Sequence, residues 1–529
     1  MRSPPVVHRE TRFTSDGLNG VTLGQMVDLA ADAYGPAVAF VDGDRHESFE
    51  DLAVRTDEIA AGLLAQGARP GDRIAVWLAN GMEWIHCYFG ALKAGCVVVP
   101  VNTSFGVDEA AYVLGQSRSR FLVTGGSYKH GLADQLVPAL TSRDGVSIDA
   151  IFRTTAGSYG QPFGELFALG RTDGARQQLN EVRDTIEFGD PALMFYTSGT
   201  TGFPKGAVHS HKVMLNMADG AERMRLAPGD RIVMYLPLFH VFGAFAGALA
   251  FLMSGATVIL MPKFDGATSV RLMAQHRATI CYGFPTTYYD QIRSEAYETH
   301  DLSSIRLAVI AGPPDSMKLV DDKFGRAVGA YGMTESTSMT TLCNPDDSYE
   351  RRTETIGHPL PGFEYRIVHE DTDEDVAPGA VGELLVRGHP VMHGYFEKPD
   401  ETAAVLSPDG WFRTGDAVSV RPDGYLVYQG RMKDMFKVGG ENVDPTEVEG
   451  VLAQHPAVGM AAVIGVPDER LGEVGMAFVE TVDPCSEDEL ISFVRARLAR
   501  FKVPKYIRVV DALPRTASGK VQKFVLRDR

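Results

Sequence analysis

The sequence predicts an α/β protein in which a large, multi-lobed N-terminal domain with parallel α/β sheets is followed by a small α+β domain. The main observation is that strand-like apolar runs alternate with segments of helix length over most of the 529 residues. RIAVWLA, GCVVVPV and ATVILMP are typical of the apolar runs, and FEDLAVRTDEIAAGLLAQG is typical of the helical segments. Such alternation indicates parallel sheets that helices cover on both faces.

The pattern changes after about residue 360, where strand-like segments become shorter and turn residues more frequent. FEYRIVHEDTDEDVAPGAVGELLVRG and GYLVYQGR predict antiparallel strands, which we expect to form a small β-barrel-like lobe. A boundary is predicted near the GRMKD segment at residues 430–434. Residues 1–430 would then form the N-terminal domain and residues 434–529 the C-terminal domain.

The C-terminal segment has the pattern of a compact mixed domain. PTEVEGVLAQHP and SEDELISFVRARLARF predict helices, each beginning at a Thr or Ser with acidic residues in the first turn. GMAAVIGV, MAFVETV and YIRVVDAL predict strands. About a hundred residues suffice for a separate small domain.

Composition and charge exclude several classes of function. The 51 basic and 68 acidic residues give a net charge of −17, which argues against a nucleic-acid-binding surface but not against a pocket for a small anion. The five cysteines are odd in number and show no CxxC spacing, so neither a disulfide framework nor a zinc site is expected. The first residues, MRSPPVVHRETRF, lack an apolar signal core, and we expect a cytoplasmic protein.

Residues 232–262 contain no Asp, Glu, Lys or Arg, a length that could span a bilayer. Pro237, Gly243 and Gly247 interrupt the segment. We interpret it as a buried helix near 243–253 followed by a buried strand at TVILM, and expect no integral membrane segment.

The segment YTSGTTGFPKG at residues 196–206 concentrates hydroxyl side chains, glycines and one lysine. Its glycines allow the backbone to approach a ligand closely, and its exposed N–H groups could form an anion site to which Lys205 adds charge. The segment is not a Walker A loop, because the lysine precedes a glycine rather than Ser or Thr. Composition alone leaves a polyphosphate site and a Ser/Thr/Gly-rich surface turn equally open.

The full string closely resembles the signature loop of the adenylate-forming superfamily, which comprises acyl-CoA synthetases, stand-alone adenylation domains and beetle luciferases. Four further motifs of the family follow in the expected order: YGMTE at 331–335, GWFRTGD at 410–416, GRMKDMFKVGGENVDPTEVE at 430–449 and PRTASGK at 514–520. The resemblance extends from about Leu23 to Lys523 and is strongest to fatty-acid or aryl acyl-CoA ligases. It implies that ATP, Mg²⁺ and coenzyme A act on a small carboxylic acid.

The resemblance also implies a role for each motif in the nucleotide site. Tyr331 is expected to stack on adenine, Thr334 to contact the α-phosphate, and Glu335 to hold Mg²⁺. Asp416 is expected to accept hydrogen bonds from the ribose hydroxyls, with Arg431 beside it. The expected ATP-binding residues are Thr197, Ser198, Gly199, Thr200, Thr201, Gly202, Lys205, Gly312, Tyr331, Gly332, Met333, Thr334, Asp416, Arg431, Lys437 and Lys520.

Two further groups are implied in the C-terminal part. Lys520 is expected to neutralise charge between the substrate carboxylate and the α-phosphate during adenylation, which would make it catalytic together with Thr334 and Glu335. Residues 431–433 resemble the family hinge, with Lys433 at the pivot, about which a mobile small domain would rotate. Gly439 and Gly440 would then leave room for the pantetheine arm of CoA.

Considered singly, these residues have simpler explanations. Glu335 could be a solvated residue after a strand, Asp416 an ordinary turn residue after a glycine, and Lys520 a solvated tail lysine. The order of five motifs along one chain is the observation that favours the functional interpretation.

The identity of the acid depends on the pocket residues, for which we propose His240, Phe284, Gly312 and Ser336. His240 lies in PLFHVFG, a sequence often found near the substrate carboxylate of acyl-CoA synthetases, although a core histidine is the alternative. Because no acidic residue lies in 232–262, an α-amino acid, whose buried ammonium group would need a counter-charge, is disfavoured. Residues 313–330 are shorter than is usual in the family, and Pro313 and Pro314 depart from its pattern.

Three functions remain open at this point. The first is an acyl-CoA ligase, and the second is a stand-alone adenylating enzyme that passes its product to a carrier protein or an amine. The third is a nucleotide-binding protein without catalysis. A homodimer also remains open.

Overall fold

The computed structural model describes residues 13–197, 204–370, 372–438, 441–515 and 521–527. Within these ranges the α-helices are α1 Leu23–Tyr34, α2 Phe49–Ala65, α3 Met82–Lys93, α4 Val107–Gln116, α5 Ala133–Thr141, α6 Gly164–Gly170, α7 Asp173–Arg183, α8 Val213–Arg223, α9 Ala250–Met253, α10 Gly266–Gln275, α11 Pro285–Ile292, α12 Glu295–Thr299, α13 Pro314–Phe324, α14 Tyr349–Glu354, α15 Pro399–Ala403, α16 Pro445–Ala453, α17 Glu487–Arg495 and α18 Lys523–Arg527.

The strands are β1 Val38–Asp42, β2 Arg45–Ser48, β3 Arg73–Trp77, β4 Val97–Pro100, β5 Phe121–Thr124, β6 Ser127–Tyr128, β7 Gly131–Leu132, β8 Ala150–Arg153, β9 Gln161–Pro162, β10 Pro191–Thr197, β11 Lys205–Ser210, β12 Arg231–Met234, β13 Thr257–Leu260, β14 Ile280–Gly283, β15 Leu307–Ile310, β16 Ala327–Tyr331, β17 Thr341–Leu342, β18 His358–Pro359, β19 Phe363–Val368, β20 Gly382–Gly388, β21 Gly394–Tyr395, β22 Phe412–Val420, β23 Leu426–Arg431, β24 Phe436–Val438, β25 Glu441–Val443, β26 Val458–Asp468, β27 Gly472–Thr481 and β28 Tyr506–Val509.

Two large sheets form the N-terminal part, and the α/β prediction is confirmed. One sheet has the order β18-β17-β16-β15-β14-β12-β13-β1-β2, and the other has the order β21-β11-β10-β4-β3-β5-β8-β9. Neighbours are parallel along the stretch from β16 to β1 of the first sheet and from β10 to β9 of the second. Antiparallel pairs occur at their ends, where β16 meets β17 and β10 meets β11. The largest apolar core joins side chains from both sheets with those of α1, α2, α3 and α8.

The predicted antiparallel strands after residue 360 are present, but the expected β-barrel-like lobe is not closed. β19, β20, β22 and β23 pair antiparallel in that order, and in the described part of the chain they form an open four-stranded sheet. Four strands are too few to curl into a barrel with a packed interior, so this sheet packs one face onto an apolar cluster instead.

The C-terminal segment has a sheet of its own, with β25, β24, β27 and β26 in order and β28 beside β27. Its helices lie where the sequence predicts them, and Ser486 caps α17 as expected. The cap of α16 differs from the expected Thr: the Asp444 side chain accepts from the Thr446 N–H, and the helix begins at Pro445. Proline favours this first helical position, where its missing N–H leaves no bond unmade.

The uncharged segment at 232–262 folds as a buried unit of the first sheet, as predicted. β12 is followed by a π-helix at Phe242–Leu249, by α9 and by β13. The wider π-helical turn was not predicted, because an apolar run has the same pattern for either helix type. In the described ranges, no helix combines the length and the apolarity needed to cross a bilayer.

Helices α2 and α6 touch at glycines, and this contact gives a first testable prediction. A Cβ atom at Gly170 would overlap the Glu58 carbonyl, whereas a Cβ at Gly164, in the same helix, would meet nothing within 4 Å. We expect Gly170→Ala to lower the free energy of unfolding by about 1–3 kcal/mol through overpacking. Gly164→Ala should leave it unchanged or raise it slightly. Equal unfolding midpoints for the two variants in calorimetry would contradict the prediction.

Candidate active site

Several of the residues singled out in the sequence lie on elements of three sheets that meet near Tyr331 and Glu335. β10 ends at Thr197, and β11 begins at Lys205. Thr197 and Lys205 are paired across the hairpin. The loop between them carries Ser198, Gly199, Thr200, Thr201 and Gly202, and these residues lie outside the described part of the structure. Because β10 is parallel to its inner neighbour β4, the hairpin lies at the carboxyl edge of the second sheet, the usual place for a ligand in an open α/β sheet.

Asp416 forms the centre of a buried polar cluster. Its side chain is 1% exposed and lies on β22 opposite Arg431 of β23. The Arg431 Nε lies 2.9 Å from Asp416 Oδ1, and the Tyr331 hydroxyl donates to Oδ2 at 2.6 Å. The Tyr428 hydroxyl donates to Oδ1 at 3.3 Å. Burial, with the negative charge of Asp416 nearby, raises the pKa of both tyrosines well above the usual value, so each remains a hydrogen-bond donor.

Tyr428 was missed by the sequence interpretation, although it lies between two recognised motifs. It lies on the strand that ends with Arg431, and its side chain reaches the same carboxylate. The only available signal was an aromatic residue three positions before Arg431, on the predicted strand GYLVYQGR.

The YGMTE motif continues from β16 into a short 3₁₀ turn at Thr334–Ser336. Gly332 is required here because a Cβ atom would collide with the Ser338 carbonyl. After the turn, Thr337 and Ser338 adopt positive φ angles of 61° and 73°. The chain therefore reverses sharply and presents the Thr334 and Glu335 side chains at the end of a central strand.

Glu335 is held by β21 of the neighbouring sheet. The Tyr395 hydroxyl donates to Glu335 Oε1 at 2.7 Å, and the Met392 N–H donates to the Glu335 carbonyl at 2.8 Å. Burial raises the pKa of Tyr395, and the negative charge of Glu335 raises it further, so the hydroxyl stays protonated. Lys205 Nζ lies 5.1 Å from the centre of the same tyrosine ring. Tyr395 thus links the lysine of the glycine-rich loop to the carboxylate, a role that sequence reasoning did not assign.

The four residues proposed for the acyl pocket lie in different surroundings. His240 lies in the turn before the π-helix, with its ring 4.8 Å from that of Phe239. Asn80 holds this turn: its amide donates to the carbonyls of Met234 and Leu236, and its oxygen accepts from the Leu238 N–H. Asn80 was not singled out, since its partners lie more than 150 positions later, for example Leu236 at a separation of 156.

Phe284 and Gly312 lie in two loops that meet at Pro285, while the Ser336 hydroxyl is bonded to Thr340. The Phe284 ring packs edge-on against Phe242 at 5.8 Å between centroids. A Cβ atom at Gly312 would lie 2.7 Å from Pro285 Cγ, so glycine allows these two loops to meet. The Ser336 hydroxyl is 1% exposed and lies 2.6 Å from the Thr340 hydroxyl. Ser336 therefore stabilises the turn through its side chain in this conformation.

The shortened segment 313–330 forms regular structure. Pro313 and Pro314 occupy the cap and first position of α13, and β16 begins at Ala327, soon after that helix ends. The N–H groups that these prolines lack would have had no partner at a helix start.

In the C-terminal part, Lys433 lies exposed in the 3₁₀ turn at Met432–Asp434, and its carbonyl accepts from the Arg527 guanidinium at 3.3 Å. The backbone of Lys437 lies on β24, but its side chain is outside the described structure. Gly439, Gly440 and Lys520 are also outside the described residues.

Comparison with known proteins gives matches over nearly the whole chain. Residues 27–396 match the family described as AMP-binding enzyme, and residues 447–520 match the AMP-binding enzyme C-terminal domain. A putative acyl-CoA synthetase, YngI of Bacillus subtilis, is 36% identical over 96% of this chain and 97% of its own length. The mitochondrial medium-chain acyl-CoA ligase ACSF2 of Macaca fascicularis is 32% identical over 98% of this chain and 88% of its own.

Solved structures give the same result. The anthranilate CoA ligase AuaEII in complex with anthranoyl-AMP superposes with a TM-score of 0.87 at 26% identity, covering 98% of both chains. A benzoate CoA ligase from Burkholderia xenovorans gives a TM-score of 0.80 at 27% identity, covering 96% of this chain and 99% of its own.

These matches confirm the predicted superfamily and the predicted enzyme class, an AMP-forming acid–thiol ligase, and they support ATP and CoA as co-substrates. Since the family match covers more than half of the sequence and the relatives exceed 30% identity over almost all of it, the chain belongs to the AMP-binding enzyme family.

Proposed function

We propose that the protein converts a carboxylic acid, ATP and CoA into an acyl-CoA thioester, AMP and pyrophosphate, with acyl-AMP as the intermediate. The observation that carries the assignment of residues is the bond between Tyr331 and Asp416, which joins the motif that also carries Glu335 to a motif 85 positions later. The buried Asp416 carboxylate accepts from two tyrosine hydroxyls beside Arg431, and a ligand could replace those hydroxyls with hydroxyl groups of its own.

Asp416 would bind the ribose. Its carboxylate accepts only, and among the described residues its donors include two tyrosine hydroxyls and Arg431. Ribose hydroxyls would donate to the same oxygens, with Arg431 beside the carboxylate. Tyr331 would then present its ring to adenine, and Gly332 would allow the base to lie close to the backbone.

The first step would take place between the glycine-rich loop and the turn after β16. An oxygen of the substrate carboxylate attacks the α-phosphorus, and the bond from that phosphorus to the β-phosphate bridge breaks, releasing pyrophosphate. The loop from Thr197 to Lys205 would hold the β- and γ-phosphates, and Thr334 would contact the α-phosphate. Lys520 would supply positive charge between the reacting groups.

Glu335 fits a magnesium site by the chemistry of its donors. Mg²⁺ is usually held by one or two carboxylates together with substrate phosphates. One oxygen of Glu335 accepts a single bond from Tyr395, which fixes the carboxylate and leaves lone pairs for a cation. When bound there, the ion would offset phosphate charge during adenylation.

The second step joins the acyl group to CoA. The thiol sulfur attacks the acyl carbon, the bond to the AMP oxygen breaks, and the thiol proton is released. We propose that residues 434–529 rotate about a hinge at 431–433, with Lys433 as pivot, between the two steps. Gly439 and Gly440 would line the path of the pantetheine arm, and Lys437 would face the site in one orientation.

We further propose an apolar acyl group without a positive charge. The wall near His240 includes the Phe242 and Phe284 rings, and Phe242 also stacks on Tyr282 at 5.3 Å between centroids. No acidic side chain occurs in 232–262 to pair with an ammonium group. Relatives whose names specify medium-chain acids, anthranilate or benzoate support this class.

The proposal is tested by measuring pyrophosphate release from a panel of carboxylic acids with and without CoA. We expect an apolar acid to give pyrophosphate in a single turnover without CoA, and continuous turnover with a thioester product when CoA is added. Glycine and other α-amino acids serve as the matched negative set. Continuous turnover that does not depend on free CoA, but does depend on an added amine or carrier protein, would instead support the alternative acceptor.

A further inference from the structure

The turn that carries Thr334 and Glu335 belongs to one sheet but is attached to the other. We call the contact between this turn and the eight-stranded sheet the seam. Among the described residues, three hydrogen bonds cross it: the His209 Nε2 bond to the Thr334 carbonyl, the Met392 N–H bond to the Glu335 carbonyl, and the Tyr395 hydroxyl bond to the Glu335 carboxylate. The donors lie on β11 and in the segment of β21, at the edge of the eight-stranded sheet. The position of the turn relative to the glycine-rich loop therefore depends on these bonds.

His209 makes the seam bond closest to Thr334. Its side chain lies at the protein interior, 2% exposed, with Nε2 2.8 Å from the Thr334 carbonyl oxygen. A carbonyl oxygen can only accept, so Nε2 carries the proton. The ring also meets Phe245 of the π-helix edge-on, at 6.0 Å between centroids.

This histidine remains uncharged at physiological pH. Burial, opposed in part by the bond to the Thr334 carbonyl and aided by the nearby His393, lowers its pKa to about 4. Since the pKa in the folded protein lies below the ordinary value, the ring stays neutral throughout the range above about pH 5. As a neutral ring it donates its Nε2 proton to the bond with the carbonyl and brings no charge to the site.

The strand that carries His209 also begins at Lys205, the lysine of the glycine-rich loop. One short strand thus connects the group proposed to hold phosphates with the backbone of the turn proposed to act on the α-phosphate. If the donor were removed, the partly buried carbonyl of Thr334 would lose this partner, and the turn could shift relative to the loop.

We propose that His209 is a positioning residue for acyl-adenylate formation, which sets the Thr334–Ser336 turn against the glycine-rich loop by donating from Nε2 to the Thr334 carbonyl. The inference rests on the function proposed above. His209 itself does not touch substrate; it acts through the orientation of Thr334 and Glu335.

The test compares His209→Met with His209→Gln, since both side chains are unbranched and of similar length, but only glutamine carries an amide donor near the position of Nε2. We expect His209→Met to lower kcat for acid-dependent pyrophosphate release by roughly 10- to 100-fold, the scale of a small misplacement of reacting groups. His209→Gln should stay within about threefold of the unchanged protein. The Mg²⁺ concentration for half-maximal rate should rise in the methionine variant only.

Two further readouts separate positioning from general loss of structure. Thioester formation from supplied acyl-AMP should be unchanged in both variants, because the α-phosphate step is bypassed. His46→Met, on the exposed strand β2, is the matched control and should change neither half-reaction. If His209→Met does not fold, His209→Asn replaces it: its shorter amide cannot reach the Thr334 carbonyl, and it should lose rate where glutamine retains it.

Full activity of the folded methionine or asparagine variant would overturn the proposal, and so would an equal loss in the glutamine variant. Failure of the proposed function itself looks different: the unchanged protein would then release no pyrophosphate with any acid. A pH profile of the unchanged protein in which the rate depends on a group with the pKa of His209 would also contradict a role without proton transfer.

Discussion

Lys520→Ala should lower the rate of acyl-AMP formation by about 10²–10³-fold, the effect expected when one preorganised charge is removed from a developing transition state. The same variant should form the thioester from supplied acyl-AMP at close to the unchanged rate, since the charge at the α-phosphate is already resolved in that intermediate. Single-turnover pyrophosphate release and CoA consumption, measured separately, give the two rates. The substitution removes one charged side chain from the Gly- and Ser-containing sequence PRTASGK, so little effect on stability is expected.

Lys523→Ala provides the control within the same terminal segment. Lys523 begins α18, three positions after Lys520, and its Nζ lies 2.7 Å from Glu449, so its charge is engaged within the C-terminal segment. Both half-reactions should remain within about threefold in this variant, because partly exposed ion pairs contribute little. An equal loss of both half-reactions in Lys520→Ala would show that the lysine acts on structure or CoA binding rather than on adenylation.

The order of elements was accessible from sequence because it rests on local patterns. Apolar runs and helix-length segments predict α/β sheets wherever both faces are covered, and the turn-rich segment after residue 360 predicts antiparallel strands. Local patterns could not predict whether the antiparallel sheet closes into a barrel, and the sheet formed by β19, β20, β22 and β23 is open. They also could not predict the type of the helix in the uncharged segment 232–262, which is a π-helix. These features depend on packing against other elements rather than on composition.

The residues of the candidate site likewise fall into those that could be predicted from local motifs and those that could not. Tyr331 and Asp416 were found from motifs, and the structure brings them together although they are 85 positions apart. His209, Tyr395 and Tyr428 were missed because each acts through a partner on another element of the structure, at a separation of 125 positions for His209 and Thr334. A residue whose role is to orient a neighbour carries no motif, so its role becomes visible only when strand pairing is known.

Asp416→Asn should weaken ATP binding by roughly 30- to 100-fold, since hydrogen bonds to a charged acceptor contribute about 1.5–3 kcal/mol each. The amide keeps the size of the side chain but retains one acceptor oxygen and adds donors that would face the hydroxyls of Tyr331 and Tyr428. It also leaves Arg431 without its carboxylate. Titration calorimetry with ATP and Mg²⁺ measures the affinity directly, and the KM for ATP in pyrophosphate release should rise by a similar factor.

Tyr428→Phe is the matched control for Asp416→Asn, because it removes only one long contact to the carboxylate, at 3.3 Å. Its ATP affinity should fall by less than about fivefold, as expected for a weak neutral donor. The comparison separates the charge of Asp416 from general disturbance of the buried cluster. If Asp416→Asn folds normally and binds ATP as tightly as the unchanged protein, the ribose does not use this carboxylate. The nucleotide would then have to be held by the loop and the turn alone.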